Sequence, residues 1–233
     1  MKKILICTGG TGGHIFPAIS LAQSLEKKNF NVDVVTDYRA KKFINKISIK
    51  NINFINVKTP TGKSGLALIY SIFLIFISFL YSIFFILFKK PQLIIGSGGY
   101  VSFPVLLAAR LLNKKFAIYE TNSVVGRVNK FFLSSSLKIF TGYPLKNLNI
   151  NNDKNIFVGQ LIREQIYIAK DSSSFKKDSN FDFTLLVIGG SQGAEIFSKA
   201  LPQSLNKLFN LNKKIRIFHQ VGNKEQEFKI DLS

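Results

Sequence analysis

Short apolar runs alternate with longer amphipathic stretches along most of this chain. Strands are predicted at Lys3–Thr8, Val32–Thr36, Asn53–Val57, Leu93–Gly96, Phe116–Glu120, Leu137–Thr141 and Ile156–Val158. Helices are predicted between them at Pro17–Lys28, Arg39–Ile44, Leu66–Phe88, Val101–Leu112 and Arg127–Leu133. Strands that alternate with helices are typical of a parallel sheet covered on both faces, so the predicted class is α/β.

The same alternation restarts near the end of the chain. Asp171–Asp182 is rich in Ser, Lys and Asp, and is predicted to be a surface loop. A strand at Thr184–Ile188, a helix at Ala194–Phe209 and a strand at Ile215–Val221 follow it. One and a half such units are fewer than a doubly wound domain needs. We therefore expect one whole domain and the beginning of a second.

Glycine-rich turns follow three of the predicted strands directly. They are Thr8-Gly9-Gly10-Thr11-Gly12-Gly13-His14, Gly96-Ser97-Gly98-Gly99-Tyr100 and Gly189-Gly190-Ser191-Gln192-Gly193-Ala194. Glycine lets the backbone turn tightly and approach a ligand closely. A helix that starts just beyond such a loop points unpaired N–H groups at that space. The first and third loops therefore predict two nucleotide-fold domains that face a phosphate-binding cleft.

Several single residues near these turns are candidates for chemistry, each with a structural alternative. His14 lies where the first loop meets its helix, and could act as a base, cap the helix or be a core histidine. Glu120 and Asn122 follow a strand end, where parallel sheets bind ligands. Arg163 follows a turn at Gly159 and could reach a phosphate or lie on the surface.

Two other nucleotide-binding classes are disfavoured by the first glycine loop. Asp37, at the end of the second strand, fits a nicotinamide oxidoreductase, but Ile15 stands where the third glycine of that fingerprint belongs. The loop also lacks the lysine of a P-loop. The sequence contains no D-x-D pair, so we predict neither a metal nor a cofactor. Helix N-termini and basic side chains would then stabilise a leaving pyrophosphate.

The charge balance is strongly basic, with 32 Lys and Arg residues against 13 Asp and Glu residues and a net charge of +19. Such a charge favours an anionic partner, either a lipid headgroup surface or a pyrophosphate, although biased codon usage would also produce it. Nucleic acid is disfavoured because no RNP, zinc or helix-turn-helix pattern is present. The single cysteine, Cys7, is predicted to be buried and inert.

The predicted helix at Leu66–Phe88 has 23 residues and carries no charge. It is long enough to span a bilayer. Ser71, Ser78 and Ser82 form one stripe along it, and Lys63 and Lys89-Lys90 flank it. Three placements are open: a helix at the membrane interface or packed on the core, a wholly buried helix, and a true span. The first is favoured, because a span would separate the first two glycine loops across the membrane.

Taken together, the motifs resemble the MurG family. They are Gly9-Gly10-Thr11-Gly12-Gly13-His14-Ile15-Phe16-Pro17-Ala18, Gly98-Gly99-Tyr100-Val101-Ser102, Glu120-Thr121-Asn122 and Gly189-Gly190-Ser191-Gln192-Gly193-Ala194. The resemblance implies a GT-B architecture of two Rossmann-like domains, the second incomplete here. It also implies inverting transfer of N-acetylglucosamine from UDP-N-acetylglucosamine (UDP-GlcNAc) to lipid I, which yields lipid II for the peptidoglycan cell wall.

The resemblance also assigns regions and residues. It implies an acceptor- and membrane-binding domain at 1–163 and the start of a UDP-sugar-binding domain at 164–233. His14 matches the histidine discussed as the catalytic base. The positions that match UDP-GlcNAc contacts are Thr11, Gly12, Gly13, Asn122, Arg163 and Ser191.

The implied location is the cytoplasmic face of the inner membrane, as a peripheral protein on an anionic surface. One departure from the family is Thr121, which stands where glutamine is usual. The alternative function is a non-catalytic, membrane-recruiting half of a split glycosyltransferase, which would bind the acceptor only.

Overall fold

A computed structural model describes residues 1–44, 49–146, 153–172, 180–189, 195–209 and 214–221 of the chain. It divides into two compact units, Met1–Asp171 and Ser172–Ser233. The strands of the first unit are β1 Lys3–Cys7, β2 Asn31–Thr36, β3 Asn51–Phe54, β4 Leu93–Gly96, β5 Phe116–Glu120, β6 Ile139–Thr141 and β7 Asn155–Phe157. Its helices are α1 Gly12–Lys27, α2 Lys41–Ile44, α3 Gly65–Lys89, α4 Ser102–Leu111, α5 Arg127–Phe132 and α6 Glu164–Ser172.

The seven strands form one parallel sheet in the order β3-β2-β1-β4-β5-β6-β7. Helices cover both faces, so the central strands are continuous apolar runs. On β1, Leu5 and Cys7 face the side of α3, α4 and α5, whereas Ile4 and Ile6 face the side of α1. The predicted α/β class and parallel sheet are therefore observed.

The second unit is described only in part. Its strands β8 Phe183–Val187 and β9 Ile215–His219 pair in parallel, and α7 Glu195–Phe209 connects them along the chain. This is the βαβ pattern predicted for the region.

Several element boundaries differ from the sequence predictions, and the largest differences concern α1, β3 and one additional helix. Helix α1 begins at Gly12 rather than Pro17, because the end of the glycine loop forms the first helical turn. Pro17 lacks a backbone N–H, so its presence near the start of the helix removes one backbone hydrogen bond. Strand β3 ends at Phe54, and Ile55 and Val57 are buried beyond it. Helix α6 was not predicted, because Ile166, Tyr167 and Ile168 are consecutive and exposed and give no helical period.

The direction of strand progression reverses between β1 and β4. The chain runs outward from β1 to β3, then crosses through α3 to β4 on the other side of β1. At such a reversal the loops after the two central strands diverge and leave a crevice at the carboxyl edge of the sheet. The first two glycine loops lie at this edge.

Candidate functional site

A cavity of about 360 Å³ lies at the carboxyl edge of the sheet in the first unit. Its walls come from α1, from the loops after β4 and β5, from the start of α5 and from the segment before α3. The lining residues are His14, Thr61, Gly98, Gly99, Tyr100, Glu120, Asn122, Gly126, Arg127, Val128 and Asn129. The cavity therefore occupies the place where open parallel sheets bind their ligands.

The first two glycine loops are in direct backbone contact. The Gly9 N–H donates to the Gly98 carbonyl at 3.0 Å, and the Ser97 N–H donates to the Cys7 carbonyl at 2.9 Å. Gly99 has a φ of +77°, and a Cβ there would lie 2.7 Å from the Cα of Gly9. Only glycine fits this position, which explains why both loops carry glycine where they meet.

The His14 side chain joins the two loops. His14 lies in the first turn of α1, and its Nδ1 is 2.9 Å from the Ser97 carbonyl oxygen. A carbonyl only accepts, so Nδ1 carries the proton and the neutral ring keeps its lone pair on Nε2. No described residue hydrogen-bonds to Nε2. The alternative of a helix-capping histidine does not hold, since this side chain binds the opposite loop.

Glu120 organises the loop after β5. Its side chain is 1% exposed. Oε1 accepts from the backbone N–H and the Nδ2 of Asn122 at 3.0 and 3.2 Å, and Oε2 accepts from the Gly126 N–H and Asn129 Nδ2 at 2.9 and 2.8 Å. Four donors thus satisfy a buried carboxylate, and they hold Asn122 at the cavity wall.

The other predicted UDP-sugar contacts lie outside this wall. Three of them lie beside His14 at the start of α1, namely Thr11, Gly12 and Gly13. Thr11 is exposed, and a Cβ on Gly13 would meet nothing within 4 Å. Arg163 stacks on the ring of Phe16, with 4.3 Å from its guanidinium carbon to the ring centroid. Ser191, with the rest of its loop from Gly190 to Ala194, lies outside the described residues.

The segment that carries Arg163 is tied to the end of β5. The Tyr119 hydroxyl donates to the Gly159 carbonyl at 3.2 Å and accepts from the Leu161 N–H at 3.1 Å. Burial raises the pKa of Tyr119. Gln160 Nε2 donates to the Thr121 carbonyl at 2.6 Å. Thr121, the predicted departure from the family, therefore receives a glutamine amide from another part of the chain.

Asp37 has a local structural role. Its carboxylate accepts from Arg39 Nε and Nη2 at 3.0 and 2.6 Å, and Oδ2 also lies 3.3 Å from the Gly10 N–H. Both oxygens are therefore occupied by protein donors beneath the first glycine loop. This arrangement weighs further against the oxidoreductase alternative, which needs this carboxylate for a ribose.

Three residues at the cavity were not singled out as functional from the sequence. Thr61 and Tyr100 share a short hydrogen bond between their hydroxyls, and Arg127 Nη1 donates to Thr61 Oγ1 at 3.3 Å. These residues belong to separate segments of the chain, and only the folded sheet brings them together. Among the described residues, no group of three His, Cys, Asp or Glu side chains could hold a metal ion.

A parallel doubly wound sheet with a glycine-lined cavity at its reversal point is typical of nucleotide-binding α/β proteins, and the solved structures that align with this chain place it in the GT-B fold. The crystal structure of MurG from Acinetobacter baumannii aligns with 97% of the chain and 62% of its own length, at a TM-score of 0.70 and 25% identity. The co-structure of S. aureus MnaA with UDP aligns with 97% of the chain at a TM-score of 0.62, and its 13% identity shows the fold alone.

The chain belongs to glycosyltransferase family 28. The model of the family 28 N-terminal domain matches residues 4–141, and that of the C-terminal domain matches residues 184–233. The predicted MurG resemblance and GT-B class are thereby confirmed.

Two relatives carry the same descriptive name, UDP-N-acetylglucosamine--N-acetylmuramyl-(pentapeptide) pyrophosphoryl-undecaprenol N-acetylglucosamine transferase. The one from Pelagibacter ubique is 39% identical over 95% of the chain, and the one from a Wolbachia of Brugia malayi is 36% identical over 93%. The chain spans about 60% of the length of these relatives.

Proposed function

We propose that this chain is the acceptor-binding part and the start of the donor-binding part of an inverting glycosyltransferase. The reaction is transfer of N-acetylglucosamine from UDP-GlcNAc to lipid I, which gives lipid II for peptidoglycan. The observation that carries the proposal is His14, fixed between two glycine loops with its Nε2 lone pair available at a family 28 cavity. The names of the relatives supply the two substrates.

His14 is the general base of this proposal. Its Nε2 takes the proton from the 4-hydroxyl of the acceptor sugar as that oxygen attacks the anomeric carbon of N-acetylglucosamine. The bond from the anomeric carbon to the UDP oxygen breaks at the same time, and UDP leaves with the electron pair. Because the Ser97 carbonyl binds Nδ1–H, it orients the ring and stabilises the imidazolium that forms.

We propose an acceptor- and membrane-binding domain at 1–163 and the start of a UDP-sugar-binding domain at 164–233.

The proposed UDP-GlcNAc contacts are Thr11, Gly12, Gly13, Asn122, Arg163 and Ser191. Asn122 is supported by its place in the cavity wall, where Glu120 holds it. Arg163 would reach a phosphate by leaving its stacked position on Phe16. No metal or cofactor takes part in the proposed reaction.

Helix α3 supports a peripheral membrane location. It is the one helix, among those described, that is long and apolar enough to cross a membrane. Its serines Ser71, Ser78 and Ser82 face the protein, whereas many of its large apolar side chains are exposed, including Phe73, Phe76, Phe84, Leu87 and Phe88. The wholly buried alternative is therefore wrong. An exposed apolar face of this size is typical of a membrane-binding surface.

Contacts along α3 favour a helix that lies in the interface over one that spans the bilayer. Ser78 donates to the Asn56 carbonyl at 3.2 Å near its middle, and Lys89 Nζ is 2.9 Å from Asp33 Oδ1 at its end. A span would have to break these contacts. We propose that α3 binds the cytoplasmic face of the inner membrane, where the charge of +19 adds attraction to anionic lipids.

The test of this function is a transfer assay on a fusion that extends the chain after residue 233 with the remaining C-terminal part of the Pelagibacter relative. Radiolabelled UDP-GlcNAc and lipid I in vesicles should yield labelled lipid II. The 233-residue chain alone should bind UDP-GlcNAc more weakly than the fusion does. A fusion that binds both substrates without forming product would favour the non-catalytic acceptor-binding half.

A further inference from the structure

Two contacts attach the segment that leads into α6 to helix α1. The guanidinium of Arg163 stacks on the ring of Phe16 at 4.3 Å, and the adjacent Glu164 forms an ion pair with Lys27 at 2.5 Å. All four residues belong to the first unit. We refer to these two contacts as the α1 clamp.

The segment is attached to α1 by the clamp rather than by close packing. A cavity of about 330 Å³ lies between the two, lined by polar side chains of α1 and by Ile162 and Tyr167 of the segment. Both Ile162 and Tyr167 are exposed. Because the Tyr119 hydroxyl fixes the chain only as far as Leu161, the clamp determines where the next residues lie.

The clamp holds Arg163 away from the start of α1. Phe16 lies one helical turn beyond Gly12 and Gly13, where we place contacts to the nucleotide. Lys27 lies about 16 Å further along the helix, at about 1.5 Å of rise per residue, and it draws Glu164 in that direction. Arg163 therefore has to leave the clamp to reach a phosphate at the start of α1.

Both contacts of the clamp can be broken by an anion. Arg163 forms no ion pair with any described residue, and a phosphate offers its guanidinium charge and paired acceptors that an aromatic ring lacks. The side chains of Lys27 and Glu164 are more than half exposed, so water screens their attraction. Phe16 keeps its own place after release, because Phe43 packs edge-on against its ring at 5.3 Å.

We propose that the α1 clamp holds Arg163 apart from the nucleotide and that binding of a nucleotide diphosphate requires its release. Phe16 and Lys27 are then positioning residues, which act through Arg163 and do not touch the ligand. Because the clamped form lacks one phosphate contact, the clamp lowers the apparent affinity for the nucleotide. This inference rests on the proposed function, which makes Arg163 a phosphate contact.

The test measures the Kd of UDP-GlcNAc by calorimetry on the fusion with the C-terminal part of the Pelagibacter relative. Phe16→Leu removes the aromatic face but keeps an apolar side chain, and should bind about 2-fold to 5-fold more tightly than the wild type. Lys27→Gln should bind about 2-fold more tightly. Loss of a positive charge by itself would weaken binding of an anion, so this direction is specific to the clamp.

Matched variants separate the clamp from general charge and packing. Lys28→Gln removes the same charge at the neighbouring exposed position and should not tighten binding. Phe16→Tyr and Lys27→Arg keep the two contacts and should bind as the wild type does. Arg163→Gln should weaken binding about 10-fold or more. Thermal melts of all variants identify any that fail to fold.

A spectroscopic measurement follows Arg163 directly. In the clamp, the ring current of Phe16 should shift the Nε–H resonance of Arg163 upfield, and Arg163→Gln identifies that resonance by its loss. UDP-GlcNAc should move the resonance downfield in the wild type. Phe16→Leu should move it downfield without nucleotide.

Unchanged or weaker binding in either Phe16→Leu or Lys27→Gln would overturn the inference. An Arg163 resonance that stays upfield in the UDP-GlcNAc complex would also overturn it, because Arg163 would then remain stacked. If Arg163→Gln bound UDP-GlcNAc as tightly as the wild type, the proposed phosphate contact would fail and the inference with it. Failure of the proposed reaction looks different, since the clamp variants would still bind UDP-GlcNAc more tightly while the fusion formed no product.

Discussion

Replacing Glu120 by glutamine should destabilise the first unit far more than the same change at an exposed glutamate. In the wild type, each carboxylate oxygen of Glu120 accepts two hydrogen bonds. In the variant, the amide NH2 takes the place of one of these oxygens and cannot accept. The least costly choice puts NH2 towards Asn122, whose exposed side chain can turn to water, and leaves the Asn122 N–H unpaired. That unpaired donor, with weaker bonds to a neutral oxygen, costs about 2–4 kcal/mol.

Cys7 provides the assay, because it is the single cysteine and lies on the central strand β1. Burial raises the pKa of its thiol to about 12, so the folded chain should not react with a thiol reagent. Labelling then requires the sheet to open, and a loss of 2–4 kcal/mol speeds it by about 30-fold to 1,000-fold.

Glu164→Gln is the matched control. Glu164 pairs with Lys27 at 2.5 Å, but both side chains are more than half exposed. Its loss should cost at most about 0.5–1 kcal/mol, because water screens an exposed ion pair. The account of the Glu120 network would be refuted if Glu120→Gln labelled Cys7 no faster than Glu164→Gln does.

Four further outcomes are expected. Because the unfolded thiol ionises near pH 9 and the folded one near 12, its contribution to stability should fall with rising pH between them by up to about 1.4 kcal/mol per pH unit. Urea melts should therefore show a shallower fall in Cys7→Ala than in the wild type. In urea melts, Gly99→Ala should lower the free energy of unfolding by about 2–5 kcal/mol, and Gly62→Ala by about 1–2 kcal/mol. Both glycines have a positive φ, but only at Gly99 would the added Cβ contact another backbone segment. Phe84→Ser should weaken binding to phosphatidylcholine vesicles about 10-fold. Phe131, an exposed phenylalanine on α5, is the control, and Phe131→Ser should not weaken binding. Equal effects of the two substitutions would contradict the assignment of α3 to the membrane surface. Wild-type chain on anionic vesicles should be released by detergent more completely than by high salt.

The sheet of the first unit could be predicted because its central strands are buried on both faces and appear as apolar runs. The first two glycine loops were also predictable, because a tight turn after a strand depends on local sequence. The start of α1 was misplaced, since Pro17 suggested a boundary that the preceding glycines override. Helix α6 was missed because its exposed apolar residues follow no helical period.

The site was predictable only where a motif lies within one segment. His14 and Asn122 were found on that basis, and both line the cavity. The four-donor network of Glu120 and the contact of Thr61 with Tyr100 and Arg127 depend on which strands become neighbours, and strand order is a property of the tertiary fold. The stacking of Arg163 on Phe16 could not be predicted from the sequence for the same reason.

The most direct test of the account is the turnover of His14 variants in the fusion with a complete C-terminal part. His14→Ala removes both the base and the bond to Ser97, whereas His14→Asn places its amide Nδ2 where Nδ1 lies and can keep that bond. We expect kcat to fall by about 100-fold or more in both variants, with the Kd for UDP-GlcNAc nearly unchanged and His14→Asn the more stable in thermal melts. A His14→Asn enzyme with near wild-type kcat would contradict the account, because it would show that the side chain only joins the two glycine loops.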